Sequence, residues 1–173
     1  MRVAHTGVLT DPHLALKTAL RRLARRIQTL DTEIAAVDAD LNTLVAAVAP
    51  TTIALFGVGT DVAGQLLVTA GDNPDRLRND AAFARLCGVA PIPASSGRTD
   101  RHRLHRGGDR QANRALYMAT IVRLGRHQAT RDYMTRRRQQ GLTKLEIIRC
   151  LKRYLARETL TAIRTDLAAL DSI

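Results

Sequence analysis

The segment LKTALRRLARRIQTLDTEIAAVDADLNTL, Leu16–Leu44, decides the fold class. Its apolar positions are Leu16, Leu20, Leu23, Ile27, Leu30, Ile34, Val37, Leu41 and Leu44, in steps of four and three that alternate without a slip. That is a heptad repeat, and its period is helical. No Gly or Pro lies between His13 and Ala49. Asp11-Pro12 suits an N-cap followed by proline in the first turn, and Pro50 ends the run. At about 1.5 Å per residue the repeat spans roughly 40 Å, too long for a small domain to cover, so the helix calls for a partner helix in cis or in trans.

Charge is segregated along this helix. Lys17, Arg21, Arg22, Arg25 and Arg26 fill its first half, and Asp31, Glu33, Asp38 and Asp40 its second. Two antiparallel copies would set the basic half beside the acidic half. Ile27 and Ile34 at a, with Leu16, Leu23 and Leu30 at d, favour a parallel dimer instead. The two signals oppose each other and leave orientation open; one helix of an ordinary bundle is the plainer alternative.

The composition agrees with helices. The chain has 173 residues, 45% of them hydrophobic but only 3% aromatic, with no Trp. Leu, Ala and Val packing between helices fits this better than an aromatic-rich β-sandwich. The expected fold is all-α: a coiled-coil arm over 1–49, then a small helical domain over 50–173 with a helix-hairpin-helix-like motif. A net charge of +11 points to a polyanionic partner, most simply nucleic acid, although acidic membranes and ribosomes also suit a basic surface. The least polar long stretch, 51–70, contains Asp61, Gln65 and three Gly and reads poorly as a membrane span. Met1–Thr6 lacks the apolar run of a secretion signal, and Cys87 and Cys150 form no framework. A reducing cytoplasm is the expected location.

After Pro50, Phe56-Gly57-Val58-Gly59 joins two apolar stretches. Two glycines permit a tight turn with positive φ, and the next helix would point free N–H groups at a phosphate oxygen. Gly57, Gly59 and the amides of Thr60 and Asp61 are the candidates; the Asp61 carboxylate would weaken the site. A Gly-x-Gly turn between helices is also ordinary structure. Further on, Asp80 is expected to cap a short helix stopped by Gly88. Pro91-Ile92-Pro93 forces an extended segment toward a small tip, Ser95-Ser96-Gly97. Then come Arg98, Arg101, Arg103 and Arg106, with His102 and His105 among them, and Gly107-Gly108, which would allow close backbone approach. Asp109 reads as the N-cap of a helix bearing Arg110 and Arg114. Guanidinium binds phosphate bidentately, which raises this strip above a merely solvated surface. His102 and His105 have HxxH spacing but no third ligand in view, so no metal is expected in this chain. The remainder reads as helical, with a break at Gly125 and a capping box at Thr143–Glu146.

Taken in order, Phe56-Gly57-Val58-Gly59, Gly71-Asp72, Leu86-Cys87-Gly88-Val89-Ala90-Pro91, Ser95-Ser96-Gly97 and Arg106-Gly107-Gly108-Asp109-Arg110-Gln111-Ala112-Asn113-Arg114-Ala115-Leu116 resemble the C-terminal domain of the IS110/IS116 group of insertion-sequence transposases, also described as bridge-RNA-guided recombinases. The likeness runs from Thr51 to about Ile163, and the heptad helix is similar to that family's coiled-coil linker. It implies a DNA transposase with two active-site parts. One is an RuvC-like domain whose four acidic residues bind Mg²⁺. The other is a serine in the domain seen here, which attacks DNA to form a phosphoserine link. The family pattern points to Ser96 or to its neighbour Ser95, with the lean toward Ser96. DNA is the implied partner, with a guide RNA beside it. The acidic domain has no counterpart here, because the carboxylates before Thr51 are spread along the helix. The Mg²⁺ would belong only to that missing part, so the expectation is a truncated or split form, inactive alone. The alternatives are a non-catalytic DNA-binding or regulatory module that pairs through its coiled coil, and a structural RNA-binding protein.

Overall fold

A computed structural model describes residues 11–71, 77, 79–95, 97, 102–103 and 105–170. The described elements are α1 (Pro12–Val48), α2 (Pro50–Ile53), α3 (Thr60–Ala70), α4 (Asp80–Leu86), β1 (Ile92–Pro93), β2 (His102–Arg103), α5 (Arg110–Arg126), α6 (Gln128–Gln139) and α7 (Lys144–Leu170). The fold is all-α, with one two-residue strand pair among the described residues. No helix among the described residues is long and apolar enough to cross a membrane.

The chain divides into two compact units, Met1–Asp40 and Leu41–Ile173. In the first, α1 starts as its sequence dictates: the Asp11 carboxylate accepts from the His13 amide at 2.9 Å, with Pro12 in the first turn. Its apolar heptad positions find no cover. Leu16, Leu23, Ile27, Ile34 and Val37 are all more than half exposed.

In the second unit, α5 packs on both α3 and α7, and α2 and α4 also lie against α7. Small residues let the helix axes approach: Ala63, Ala70, Ala112, Ala119 and Ala156 are fully or almost fully buried. Phe83, Leu66, Leu116, Leu155, Leu160 and Ile163 fill the space between them. Burial of each such large side chain is worth about 1.5–3 kcal/mol. On α7 the buried positions 147/148, 152, 155/156, 159/160, 162/163 and 166 trace one helical stripe.

Local signals hold at most helix ends. The Asp109 carboxylate caps α5, accepting from the amides of Gln111 (2.7 Å) and Ala112 (3.3 Å). Thr143 and Glu146 form the reciprocal box at the start of α7, with the Thr143 amide donating to Glu146 at 2.9 Å and the Glu146 amide to Thr143 at 3.4 Å. One expectation needs correction and one a small shift. Asn79, not Asp80, caps α4, because its side chain is the one within reach of the Ala82 amide, at 2.9 Å. The break expected at Gly125 falls two residues on: α5 runs to Arg126, and His127, extended at φ −102°, ψ 113°, separates it from α6.

A candidate nucleic-acid interface

The turn between α2 and α3 is built on one left-handed glycine. Gly57 has φ +78°, whereas Gly59 is extended at φ −85°, ψ −178° and serves as the N-cap of α3. The expectation of two positive-φ glycines is therefore corrected to one. Gly57 is also where the turn meets α5. A Cβ there would lie 3.1 Å from the Ala119 carbonyl oxygen and 3.4 Å from Cγ of Arg123. Around Gly59, by contrast, the space a side chain would take is open. The first-turn amides of α3 have no intrahelical acceptor. The Thr60 hydroxyl donates to the Asn42 carboxamide, so only its backbone amide is on offer at that position. Arg123 fastens the turn from behind. Its Nε donates to the Phe56 carbonyl at 2.7 Å, and its two terminal nitrogens grip Glu158 at 2.6 and 3.1 Å.

Asp166 had no signature in the sequence, and it holds the start of α2. Ala49, the N-cap residue, has no side-chain acceptor. The Asp166 carboxylate on α7 supplies one, accepting from the Thr51 and Thr52 amides at 2.9 Å each and from the Thr52 hydroxyl at 2.7 Å. Burial pushes this carboxyl up, but the Thr51 and Thr52 hydrogen bonds outweigh it and hold it below its ordinary value.

Two of the motif segments meet in a backbone-to-backbone contact. Gly108, at φ +97°, lies so close to the end of α4 that a Cβ would fall 2.5 Å from the Arg85 carbonyl oxygen and 2.6 Å from the Gly88 amide nitrogen. The close approach read from Gly107-Gly108 is thus to the protein's own chain. The Asp109 amide donates to the Leu86 carbonyl at 2.7 Å. Asn113 spans the same junction, donating to the Gly88 carbonyl at 2.7 Å and accepting from Lys152 Nζ at 2.8 Å. Asp109 is held below its usual range chiefly by the Thr69 hydroxyl, which donates at 2.6 Å, with the Gln111 and Ala112 amides adding to it against burial.

From this junction the extended segment leads out. Ile92 pairs with Arg103 and Pro93 with His102 in antiparallel register. The sequence gives no sign of this strand pair, since neither partner is long enough to show a two-residue period. Ser95 lies two residues past β1 and is exposed. Arg103, Arg106, Arg110 and Arg114 are exposed as well, the last two one turn apart on α5. Ser96, Arg98 and Arg101 lie outside the described residues.

The strand pair, the end of α6 and the first turns of α7 enclose a cavity of about 560 Å³. Arg137 lines it with Arg149, Lys152, Arg153 and Arg157, and the last four carry no signal that sequence reasoning picked out. An amphipathic reading of α7 sees its apolar stripe, and nothing local says which of its cations faces the hairpin. Both cysteines are free. Burial, helped by the charge of Asp109, pushes the Cys87 thiol up to about 12. Among the described residues, no group of three or more His, Cys, Asp or Glu is placed to hold a metal ion.

Residues 53–135 match the family model described as Transposase IS116/IS110/IS902 family. The chain is 33% identical over 135 residues to an uncharacterized 43.6 kDa protein of insertion element IS110 from Streptomyces coelicolor, a match that covers 76% of this chain and 33% of the relative. It is 27% identical over 139 residues to an uncharacterized 42 kDa protein of insertion element IS900 from Mycobacterium paratuberculosis, covering 79% of this chain and 35% of that one. The chain spans about a third of the length of these curated relatives.

Proposed function

Because this chain belongs to the transposase IS116/IS110/IS902 family, we propose that it is the nucleic-acid-binding, serine-bearing part of an insertion-sequence transposase. Exposure of Ser95 on the loop closed by the β1–β2 pair carries this reading, with the exposed guanidinium groups of Arg103, Arg106, Arg110 and Arg114 following along the same run of chain. A hydroxyl at such a tip reaches a phosphodiester that a packed serine would not.

In the proposed reaction, Oγ of Ser96 or Ser95 bonds to phosphorus while one P–O ester bond breaks, and the departing sugar oxygen takes up a proton. Charge grows on the non-bridging oxygens, and guanidinium groups held beside them stabilise it. Serine is a weak nucleophile and needs activation, which in this reading comes from the RuvC-like part of the transposase, where the Mg²⁺ would also reside. The α2–α3 turn adds backbone contacts through Gly59 and the amides of Thr60 and Asp61, as a helix-hairpin-helix does; such contacts fix register without reading sequence. The exposed heptad seam of α1 supports pairing with another transposase chain or a second copy. The guide RNA and a cytoplasmic location belong to the same reading.

The test is DNA binding across a salt series, followed by adduct trapping in a reconstituted enzyme. Affinity should fall steeply with salt, in proportion to the phosphates neutralised. Joint replacement of Ser95 and Ser96 by Ala should leave binding intact and abolish the covalent adduct. Binding that is flat in salt, or adducts that persist in the double variant, would refute the proposal.

A further inference from the structure

We propose that the cavity between the β1–β2 pair and α7 seats a backbone phosphate of the nucleic-acid strand that the serine hairpin engages. This rests on the nucleic-acid reading above and gives the site a second wall that is remote in sequence. Among the described residues, six cations line the cavity, namely Arg103, Arg137, Arg149, Lys152, Arg153 and Arg157, with Glu146 as the one lining carboxylate. Glu146 is already engaged by the Thr143 amide and hydroxyl, at 2.9 and 2.7 Å. Arg157 pairs with the Asp80 carboxylate at 2.9 Å and Arg153 donates to the Asp80 carbonyl at 2.8 Å. Arg103 and Arg149 have no carboxylate partner among the described residues.

So many like charges around one concavity repel each other, and an anion between them relieves that repulsion. Two orphaned atoms point the same way. Among the described residues, the buried side-chain nitrogens without a hydrogen-bond partner are His105 Nδ1 and Arg137 Nε, and both residues line this cavity. A buried polar group left unpaired is unfavourable, and a ligand accepting from either nitrogen removes that penalty. Lys152 is positioned in advance: only 6% exposed, its ammonium donates to Asn113, which is itself fixed on the Gly88 carbonyl. Burial and the neighbouring charge of Arg149 lower its pKa, so an anion beside the ammonium offsets both costs. The volume lies within the roughly 300–1,000 Å³ of ligand pockets and suits a phosphate with its sugar. Guanidinium groups bind phosphate oxygens bidentately, and Arg103 on β2 and Arg149 on α7 bring two of them to this one cavity. Ser95 lies two residues past Pro93, which pairs with the lining residue His102, and this connects the anion site to the serine segment along β1.

Fluorescence anisotropy of a labelled oligonucleotide tests the assignment, comparing the wild-type chain with R103Q/R149Q and with R131Q/R138Q, which removes two exposed arginines outside the cavity. Circular dichroism melting confirms that each variant folds. The cavity double variant should bind about tenfold more weakly than the control pair, and the slope of log K against log salt should fall by about one for each phosphate no longer neutralised. If wild type binds with a steep salt dependence while the two double variants match, the cavity assignment is overturned and the nucleic-acid reading survives. If wild type fails to bind nucleic acid, both fall. Inorganic phosphate is titrated in parallel, with the His105 imidazole resonance as reporter. A cavity response to phosphate together with unchanged oligonucleotide affinity in R103Q/R149Q would assign the pocket to a free phosphate and overturn the strand assignment.

Discussion

Asp166 and Thr52 stand 114 positions apart, yet the carboxylate of the first accepts both the amide (2.9 Å) and the hydroxyl (2.7 Å) of the second. A residue near the end of the chain thereby caps the helix that leads into the Gly57–Gly59 turn. Replacing Asp166 with Ala leaves buried donors without an acceptor and should destabilise the body by about 3 kcal/mol in chemical denaturation, with the Thr52 amide losing hydrogen-exchange protection. Equal stability of wild type and variant would show that water replaces the carboxylate.

The same carboxylate governs acid stability. Asp166 and Asp109 are both held below their ordinary values. The unfolded chain, with Asp near about 3.9, therefore takes up protons first as pH falls. Their stabilisation is complete above about pH 5 and is lost progressively as pH drops through the unfolded and then the folded values. Unfolding midpoints measured from pH 6 downward should decline, and D166N should flatten that decline.

Glycine positions separate by what lies around them. At Gly108 a Cβ would fall 2.5 Å from a carbonyl oxygen on a left-handed backbone, so G108A should leave little folded protein at 37 °C. G59A meets open space and should change the melting temperature by only a few degrees. If G108A melts like wild type, the contact between the two motif segments does not hold the fold.

Thiol chemistry should distinguish the two cysteines. Cys87 is buried with its pKa pushed up to about 12, whereas Cys150 is half-buried. In the native state an aromatic disulfide reagent should titrate one thiol, at Cys150, and reach Cys87 only after unfolding. Rapid labelling of Cys87 would contradict the packing around α4.

The seam of α1 predicts association. Ile27 is 57% exposed and Ile34 56%, an unusual display of apolar surface for a lone helix. Light scattering should find a dimer or larger assembly, and I27D should shift it to monomer. Cross-linking through L16C, which brings like positions together only in a parallel pair, decides the orientation that charge pattern and core residues leave open.

Local interactions account for what was legible in the sequence. The heptad run, the Asp11 and Asp109 caps and the Thr143–Glu146 box each lie within a few residues, so their physics is written in adjacent letters. Asn79 was overlooked because Asp80 beside it is as good a capping residue by type, and only backbone direction chooses between them. Gly125 marked the break between α5 and α6 to within two residues, and the backbone conformation of His127 fixes its place.

The sequence by itself determined the helical class, the ends of most helices and the abundance of arginine around the serine tip. Tertiary structure alone decided that Asp166 would cap α2, that Gly88 and Gly108 would meet, that His102 and Arg103 would pair with Pro93 and Ile92, and that cations of α6 and α7 would face the hairpin across one cavity. The division follows the range of the forces. Helix periodicity and capping act over three or four residues, whereas a buried carboxylate, a close backbone approach or a convergence of charge exists only once distant segments have been packed together.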